Sequence, residues 1–220
     1  MLIPQLINHS IPRLQLQDTV AKARQLIIDF KLTHLPIVSD KLFLGLISEE
    51  DLLDIEDEKI TIELIQQHFI LVSVQEDVHF LNAINICNQF DTNIVPVLNK
   101  ENHFTGVITR TDLLKTLGNF AGANEMGGII VLEMGVAQFS ISEISRIVES
   151  NDCTILHLNT THDSLSGLLT VTIHINKREV AAIIATFERY EYTITQYFGH
   201  ERFENKIDDN YKNLMNFLNI

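Results

Sequence analysis

Apolar positions recur at helical spacing from Val20 to Phe30, with Val20, Ala23, Leu26, Ile27 and Phe30 on one stripe and Asp18 placed to cap it. A short strand follows at Leu35-Pro36-Ile37-Val38, where Pro36 must sit at a point that needs no N–H in the ladder. Ser39-Asp40-Lys41 turns the chain, Leu42 to Ile47 makes a second strand, and Ser48 starts a second helix. The same succession then returns. Asp77 opens a helix carrying Val78, Leu81, Ile84, Ile86 and Phe90; Val95 to Leu98 and Phe104 to Ile108 flank the turn Asn99-Lys100-Glu101-Asn102; Thr109 opens a final helix. Residue by residue, Gly45-Leu46-Ile47-Ser48-Glu49-Glu50-Asp51-Leu52-Leu53 is echoed by Gly106-Val107-Ile108-Thr109-Arg110-Thr111-Asp112-Leu113-Leu114. The offset runs from 59 (Asp18 to Asp77) to 61 (Gly45 to Gly106), a drift that two one-residue loop insertions explain. Two copies of a unit this small pack most easily about a pseudo-two-fold axis, with a cleft between them.

The copies occupy about residues 1–58 and 59–118, joined by the acidic connector Asp54 to Lys59, which reads as a solvated loop. Glycines crowd residues 118–128; because they follow a helix and precede a strand, they read as a linker over 119–127 and not as a phosphate loop. Beyond the boundary near Met126, residues 128–200 read strand, helix, strand, strand, helix, strand: Ile129 to Met134, a capping box at Ser140-Ile141-Ser142-Glu143 leading to Ile144, Ile147 and Val148, a hairpin of Cys153 to Leu158 with Leu168 to Ile175, a helix from Glu179 to Tyr190 with Val180, Ile183, Ile184 and Phe187 inward, and Thr193 to Phe198. That is the split βαββαβ, ferredoxin-like order. Within a tail at 201–220, Tyr211, Leu214, Met215 and Leu218 mark a short docking helix. The fold class expected is α/β (α+β), a tandem repeat followed by a ferredoxin-like domain.

Charge narrows the partners. The chain has 220 residues, 45% of them apolar, and a formal charge of −13 with its basic residues scattered singly. This argues against nucleic acid or anionic membranes as partners, and any anionic ligand must find local basic groups. Cys87 and Cys153 lack CxxC spacing, the N-terminus lacks a signal-peptide layout, and no apolar run approaches the ~18 residues of a membrane helix. A cytoplasmic protein without a membrane segment is expected.

The run Gly-h-h-Ser/Thr-x-x-Asp stands in both copies where a strand gives way to a helix. Glycine permits close approach of a ligand to the backbone. Free N–H groups and the helix dipole attract acceptor-rich or anionic groups. A hydroxyl and a carboxylate three residues apart share one face of the first turn, placed to grip a vicinal diol such as ribose. The same spacing also serves as a cap that merely starts a helix. Two such runs, each preceded by a hydrophobic-Pro-hydrophobic strand, resemble the CBS domain family over about residues 1–118. The resemblance implies tandem CBS repeats that bind an adenosine-type ligand such as AMP, ADP, ATP or S-adenosylmethionine, with no cofactor required. Carried over, Ser48 with Asp51 and Thr109 with Asp112 are its ribose ligands. The purine walls are Leu35-Pro36-Ile37 with Ser10-Ile11, and Val95-Pro96-Val97 with Ser73-Val74. Glu49 and Glu50 stand on the phosphate path of the first copy, Arg110 and Thr111 on that of the second. A carboxylate a few ångströms from a phosphate costs on the order of 1 kcal/mol or more. The second site is therefore expected to be the better one, and a monophosphate or nucleoside to fit more readily than a triphosphate.

Residues 128–200 resemble an ACT-type regulatory domain by element order. ACT domains carry a Pro-Gly or similar glycine where the first strand turns into the first helix, and here Gly135 to Ser140 puts Phe139 and Ser140 near that place. The inheritance expected is dimerisation rather than amino-acid binding. Together the halves resemble acetoin-utilisation B-type regulatory proteins: non-enzymatic homodimers in which a ligand-binding CBS pair acts on a partner domain and an unidentified regulated protein. Two alternatives stay open, a ligand-free interaction scaffold and a metal-responsive sensor. The latter would use His157 and His174 facing each other on the hairpin, with Cys153 on the same face, although no HExxH or paired CxxC pattern is present.

Overall fold

In the computed structural model, which describes residues 3–199, the first helix α1 (Val20–Phe30) starts one residue later than its pattern implies. Thr19, not Asp18, is its cap: the Thr19 hydroxyl accepts from Lys22 N–H. Asp18 instead accepts from Gln15 N–H and pairs with Lys22 Nζ at 2.6 Å. The chain divides into two compact units, Met1–Gly118 and Asn119–Ile220, so the residues expected as a linker group with the second unit. Repeat one continues with β1 (His34–Ser39), β2 (Leu42–Ser48) and the short α2 (Glu49–Leu53). Repeat two follows with β3 (Val74–Gln75), α3 (Phe80–Gln89), β4 (Ile94–Leu98), β5 (Phe104–Thr109) and α4 (Arg110–Phe120). α3 departs from the expected register. It begins after His79, and Phe80, Ala83 and Cys87 face inward while Leu81 is exposed. Both stripes satisfy a spacing of three and four; the observed one puts the small Ala83 and Cys87 against the sheet and lets Phe80 fill the remaining space.

The connector at 54–59 is more than a solvated loop. Its exposed side chains surround backbone carbonyls that satisfy the start of α1, where Val20 N–H donates to Ile60 O and Ala21 N–H to Glu58 O. Arg24 of α1 reaches back to Glu58 and donates to the Leu52 and Ile55 carbonyls at the end of α2. Helix ends that would otherwise leave backbone groups unpaired are tied together across the repeat.

Each repeat lends its leading segment to the other's sheet. β1 pairs antiparallel with β2, and the far edge of β2 is closed by an antiparallel bridge from Leu46 to Ile70, in the leading segment of repeat two. In the other sheet, β3, β4 and β5 lie in that order, and β5 is closed by an equivalent bridge from Val107 to Asn8, in the leading segment of repeat one. Leu14 in turn bridges Ile37 as Val74 pairs with Val97. This exchange gives Gly45 and Gly106 their reason. At φ +147° and +157°, an added Cβ would meet Phe69 Cβ at 2.9 Å in the first case and Ile7 Cγ2 at 2.5 Å in the second. The body that approaches these glycines is the crossing segment, not a ligand.

The pseudo-two-fold axis is marked at two places by equivalent residues meeting. Thr33 and Asn93 exchange hydrogen bonds, Thr33 N–H to Asn93 Oδ1 and Asn93 N–H to Thr33 Oγ1, both at 3.0 Å. Phe43 stacks on Phe104 at 6.2 Å beside a bridge between Leu42 and His103. One apolar cluster, built chiefly from repeat one, takes in Ile94 and Val107 of repeat two, so the repeats share a core.

The second unit comprises β6 (Gly128–Gly135), α5 (Ile141–Ser150), β7 (Ile155–His162), β8 (Leu168–Ile175), α6 (Ala181–Arg189) and β9 (Thr193–Phe198). Its strands lie in the order β7-β8-β6-β9, antiparallel throughout, as the expected βαββαβ succession requires. Ile130, Leu132 and Met134 of β6 pack with Ile144, Ile147, Val148, Ile183 and Phe187 of the helices. Half of the expected capping box forms: Ser140 Oγ accepts from Glu143 N–H, but the Glu143 carboxylate turns away to accept from Tyr192 Oη–H at 2.9 Å. The expected tail helix lies outside the described residues. Among the described residues, no helix is long and apolar enough to cross a membrane.

Candidate functional site

At the start of α4, Thr109 Oγ1 donates to Asp112 Oδ2 at 2.7 Å and accepts from Asp112 N–H at 3.1 Å. Ser48 and Asp51 repeat both bonds at 2.5 and 3.0 Å. The hydroxyl proton is thus committed to the carboxylate in each copy. What remains for a sugar is the second carboxylate oxygen, an acceptor suited to donating hydroxyls. The sequence reading gave hydroxyl and carboxylate equal parts; the geometry makes the hydroxyl a positioner of the carboxylate. Two of the helix N–H groups taken as free are also engaged, Arg110 N–H by Asn93 O at 2.8 Å and Asp112 N–H by Thr109.

Two hollows adjoin the second dyad. One, of about 530 Å³, is lined by Leu6, Ile7, Asn8, His9 and Ser10 of the crossing segment together with Asp112, Lys115 and Thr116. The other, of about 410 Å³, is lined by Ile11, Phe30, Lys31, Leu32, Asn93, Ile94, Thr109, Arg110, Thr111 and Leu114. Both fall within the range of small-molecule sites, roughly 300–1,000 Å³. Ser10 and Ile11, grouped by sequence with the Pro36 strand, therefore stand beside Asp112 and Thr109 of the other repeat. Strand exchange carries them there. The six wall residues Leu35, Pro36, Ile37, Val95, Pro96 and Val97 are all buried, so contact from these strands would run through backbone rather than side chains. Ser73 is half-buried between Val72 of the first repeat's core and Val74, buried in the second's.

Charge separates the two copies further than Glu49 and Glu50 alone imply. Lys31, Arg110 and Lys115 border the second dyad, whereas the positions equivalent to them are Asp91, Glu49 and Asp54. Sequence reasoning missed Lys31 and Lys115, although the repeat offset carries the signal. Arg110 donates to Asp91 and to Thr92 O, both at 2.9 Å, on a half-exposed guanidinium that reaches solvent. Around the first dyad, burial holds the pKa of His34 below the usual 6.5 while Asp51, Asp91 and Glu50 push it upward.

In the second unit, a hollow of about 320 Å³ opens where β6 turns into α5, lined by Glu133, Met134, Gln138, Glu143, Tyr190, Glu191, Tyr192 and Thr193. Burial, then the bond to Glu143, pushes the Tyr192 phenol up to about 12. His157 and His174 are register partners, as the spacing suggests. Phe120 meets His157 edge-on at 5.8 Å, and an alanine at Gly127 would strike His174 Nε2 and Ile175 O, so chain from 120–127 packs over this pair. Cys153 turns away, its Sγ–H donating to Asn151 O. Among the described residues, no three His, Cys, Asp or Glu side chains converge to hold a metal.

Comparison with known proteins places the repeats. Residues 5–58 and 70–119 match the family model described as CBS domain. A CBS domain pair/ACT domain protein from Thermotoga maritima superposes with a TM-score of 0.50 at 19% identity, over 55% of this chain and 98% of that one. The CBS domains of a transcriptional regulator from Streptococcus pneumoniae give 0.46 at 21%, over 52% of this chain and 98% of that one. CBSX2, solved in complex with AMP, gives 0.46 at 15%, over 54% and 97%.

Proposed function

Because the first unit is a tandem pair of CBS domains, we propose that this chain is a non-enzymatic regulatory protein whose second repeat binds an adenosine-type ligand. Asp112 Oδ1 accepts from the ribose hydroxyls, Thr109 holds that carboxylate in place, and Arg110, Lys31 and Lys115 meet the phosphate. The observation that carries this reading is the contrast between the repeats: matching hydroxyl–carboxylate bonds, with Lys31, Arg110 and Lys115 bordering the hollows beside the second dyad, where the equivalent positions of the first repeat are Asp91, Glu49 and Asp54. Lys31 and Lys115, with an Arg110 shared with Asp91, supply local positive charge in a chain whose formal charge is −13. Phosphate number is limited by the same count, which favours a monophosphate over a triphosphate.

The ferredoxin-like unit serves as an ACT-type dimerisation or effector domain in a cytoplasmic homodimer. Ligand in the groove favours one relative arrangement of the two repeats, and α4, whose first turn holds the dyad, carries that preference toward the second unit. Thermal shift against adenosine, AMP, ADP, ATP and S-adenosylmethionine tests the reading. AMP should raise the melting temperature more than adenosine, and Arg110→Ala should reduce AMP affinity about fivefold, the loss of roughly 1 kcal/mol from one half-exposed charge contact. No shift with any member of the panel would favour the interaction scaffold instead.

A further inference from the structure

The two dyads match in both internal bonds and differ in the oxygen left over. In the second repeat, Asp112 Oδ1 has Lys115 Nζ at 3.9 Å, beyond hydrogen-bond distance. In the first, Asp51 Oδ1 lies 3.1 Å from His68 Nδ1. A carboxylate only accepts, so the proton in that bond belongs to the imidazole. His68 therefore makes to Asp51 the same kind of bond that a sugar hydroxyl would make.

The partner of this side chain across the pseudo-two-fold axis is identifiable. Ile70 closes β2 through Leu46 as Asn8 closes β5 through Val107. Two residues before each bridge stand His68 and Leu6. Leu6 lines the hollow beside Asp112 and has no polar group to offer it. The two crossing segments are thus equivalent in path and opposite in chemistry at this one position.

We propose that His68 is an internal occupant of the first dyad, standing where a ligand's sugar would bind, so that the pair takes one adenosine-type ligand per chain. This rests on the reading of the second groove given above and adds what closes the first. His68 and Asp51 are 36% and 32% exposed, so the bond sits at the mouth of the site and its removal leaves both cores intact.

Equilibrium dialysis of labelled adenosine, which carries no phosphate for the acidic positions of the first repeat to repel, against the full chain tests this, using the wild type, His68→Leu (the residue of the equivalent position), His68→Ala, and each His68 variant combined with Asp51→Ala. The expected result is one adenosine per wild-type chain and two per chain in either His68 variant, the second lost on adding Asp51→Ala. One adenosine in the wild type and still one in both variants overturns the role of His68 while leaving the second groove intact. Two in the wild type overturns it as well. None in the wild type but one in the variants, abolished by Asp51→Ala, upholds His68 and overturns the reading of the second groove. None in any protein overturns both.

Discussion

Replacing Gly106 by alanine sets a Cβ 2.5 Å from Ile7 Cγ2, 3.0 Å from Asn8 O and 3.2 Å from His9 Nδ1, at a φ of +157°. Two penalties combine. A side chain in this glycine region of backbone space costs about 1–3 kcal/mol, and overpacking of a close contact costs about 1–3 kcal/mol more. Asn8 O cannot yield freely, because Val107 N–H donates to it at 3.2 Å while Asn8 N–H donates to Val107 O at 2.7 Å. A total of about 3 kcal/mol corresponds to a fall in melting temperature on the order of 10 °C. The same segment supplies Ile7, Asn8, His9 and Ser10 to the groove wall, so AMP affinity should fall with stability. Circular dichroism melting gives the first number, and hydrogen exchange at the Asn8 and Val107 amides localises the damage. Gly45→Ala, whose Cβ would meet Phe69 Cβ at 2.9 Å and Ile70 O at 3.3 Å, should show a similar loss at the Leu46–Ile70 bridge. A Gly106→Ala protein that melts within about 1 °C of wild type, with Asn8 still protected, would refute the claim that the crossing segment forms one side of the groove.

Two further predictions concern pH. The folded pKa of His34 lies below 6.5 because burial disfavours its imidazolium, so the unfolded chain takes up the proton first as pH falls. Its contribution to stability is whole above about pH 6.5 and is lost as pH drops through the folded value; His34→Gln should flatten the acid-side decline in melting temperature. Tyr192, its phenol pushed up to about 12, should ionise well above the ordinary tyrosine value of 10, read as the difference between the absorbance titrations of the wild type and Tyr192→Phe. Its contribution is whole below pH 10 and lost as pH rises through about 12, and Tyr192→Phe should remove that loss.

Much of this fold is legible in the sequence where two constraints agree. The strands around Pro36 and Pro96 are fixed by apolar runs bounded by polar turns, and the strand-to-helix junctions by Ser48 and Thr109, which cap as their spacing implies. Where one periodicity permits two stripes, as in α3, only packing decides, and Phe80 displaces Leu81 from the interior. Strand exchange was invisible because Asn8 and Ile70 each form a single bridge, too short to leave an alternating pattern. That omission hid that Ser10 and Ile11 also border Asp112 and Thr109 of the other repeat. The charge contrast of Lys31 with Asp91 and Lys115 with Asp54 was present in the aligned copies, but its meaning depends on which side chains border the groove. His68 carried no local signal at all; its significance comes from a carboxylate 17 residues away in sequence.

The central claim is that the carboxylate of Asp112, held by Thr109, binds the sugar of an adenosine-type ligand. Isothermal titration of AMP into the wild-type chain and into Asp112→Ala tests it most directly. The account predicts saturable binding at about one AMP per chain in the wild type and at least a tenfold loss in the variant, a change of about 1.4 kcal/mol. Equal affinity in the two proteins would contradict it.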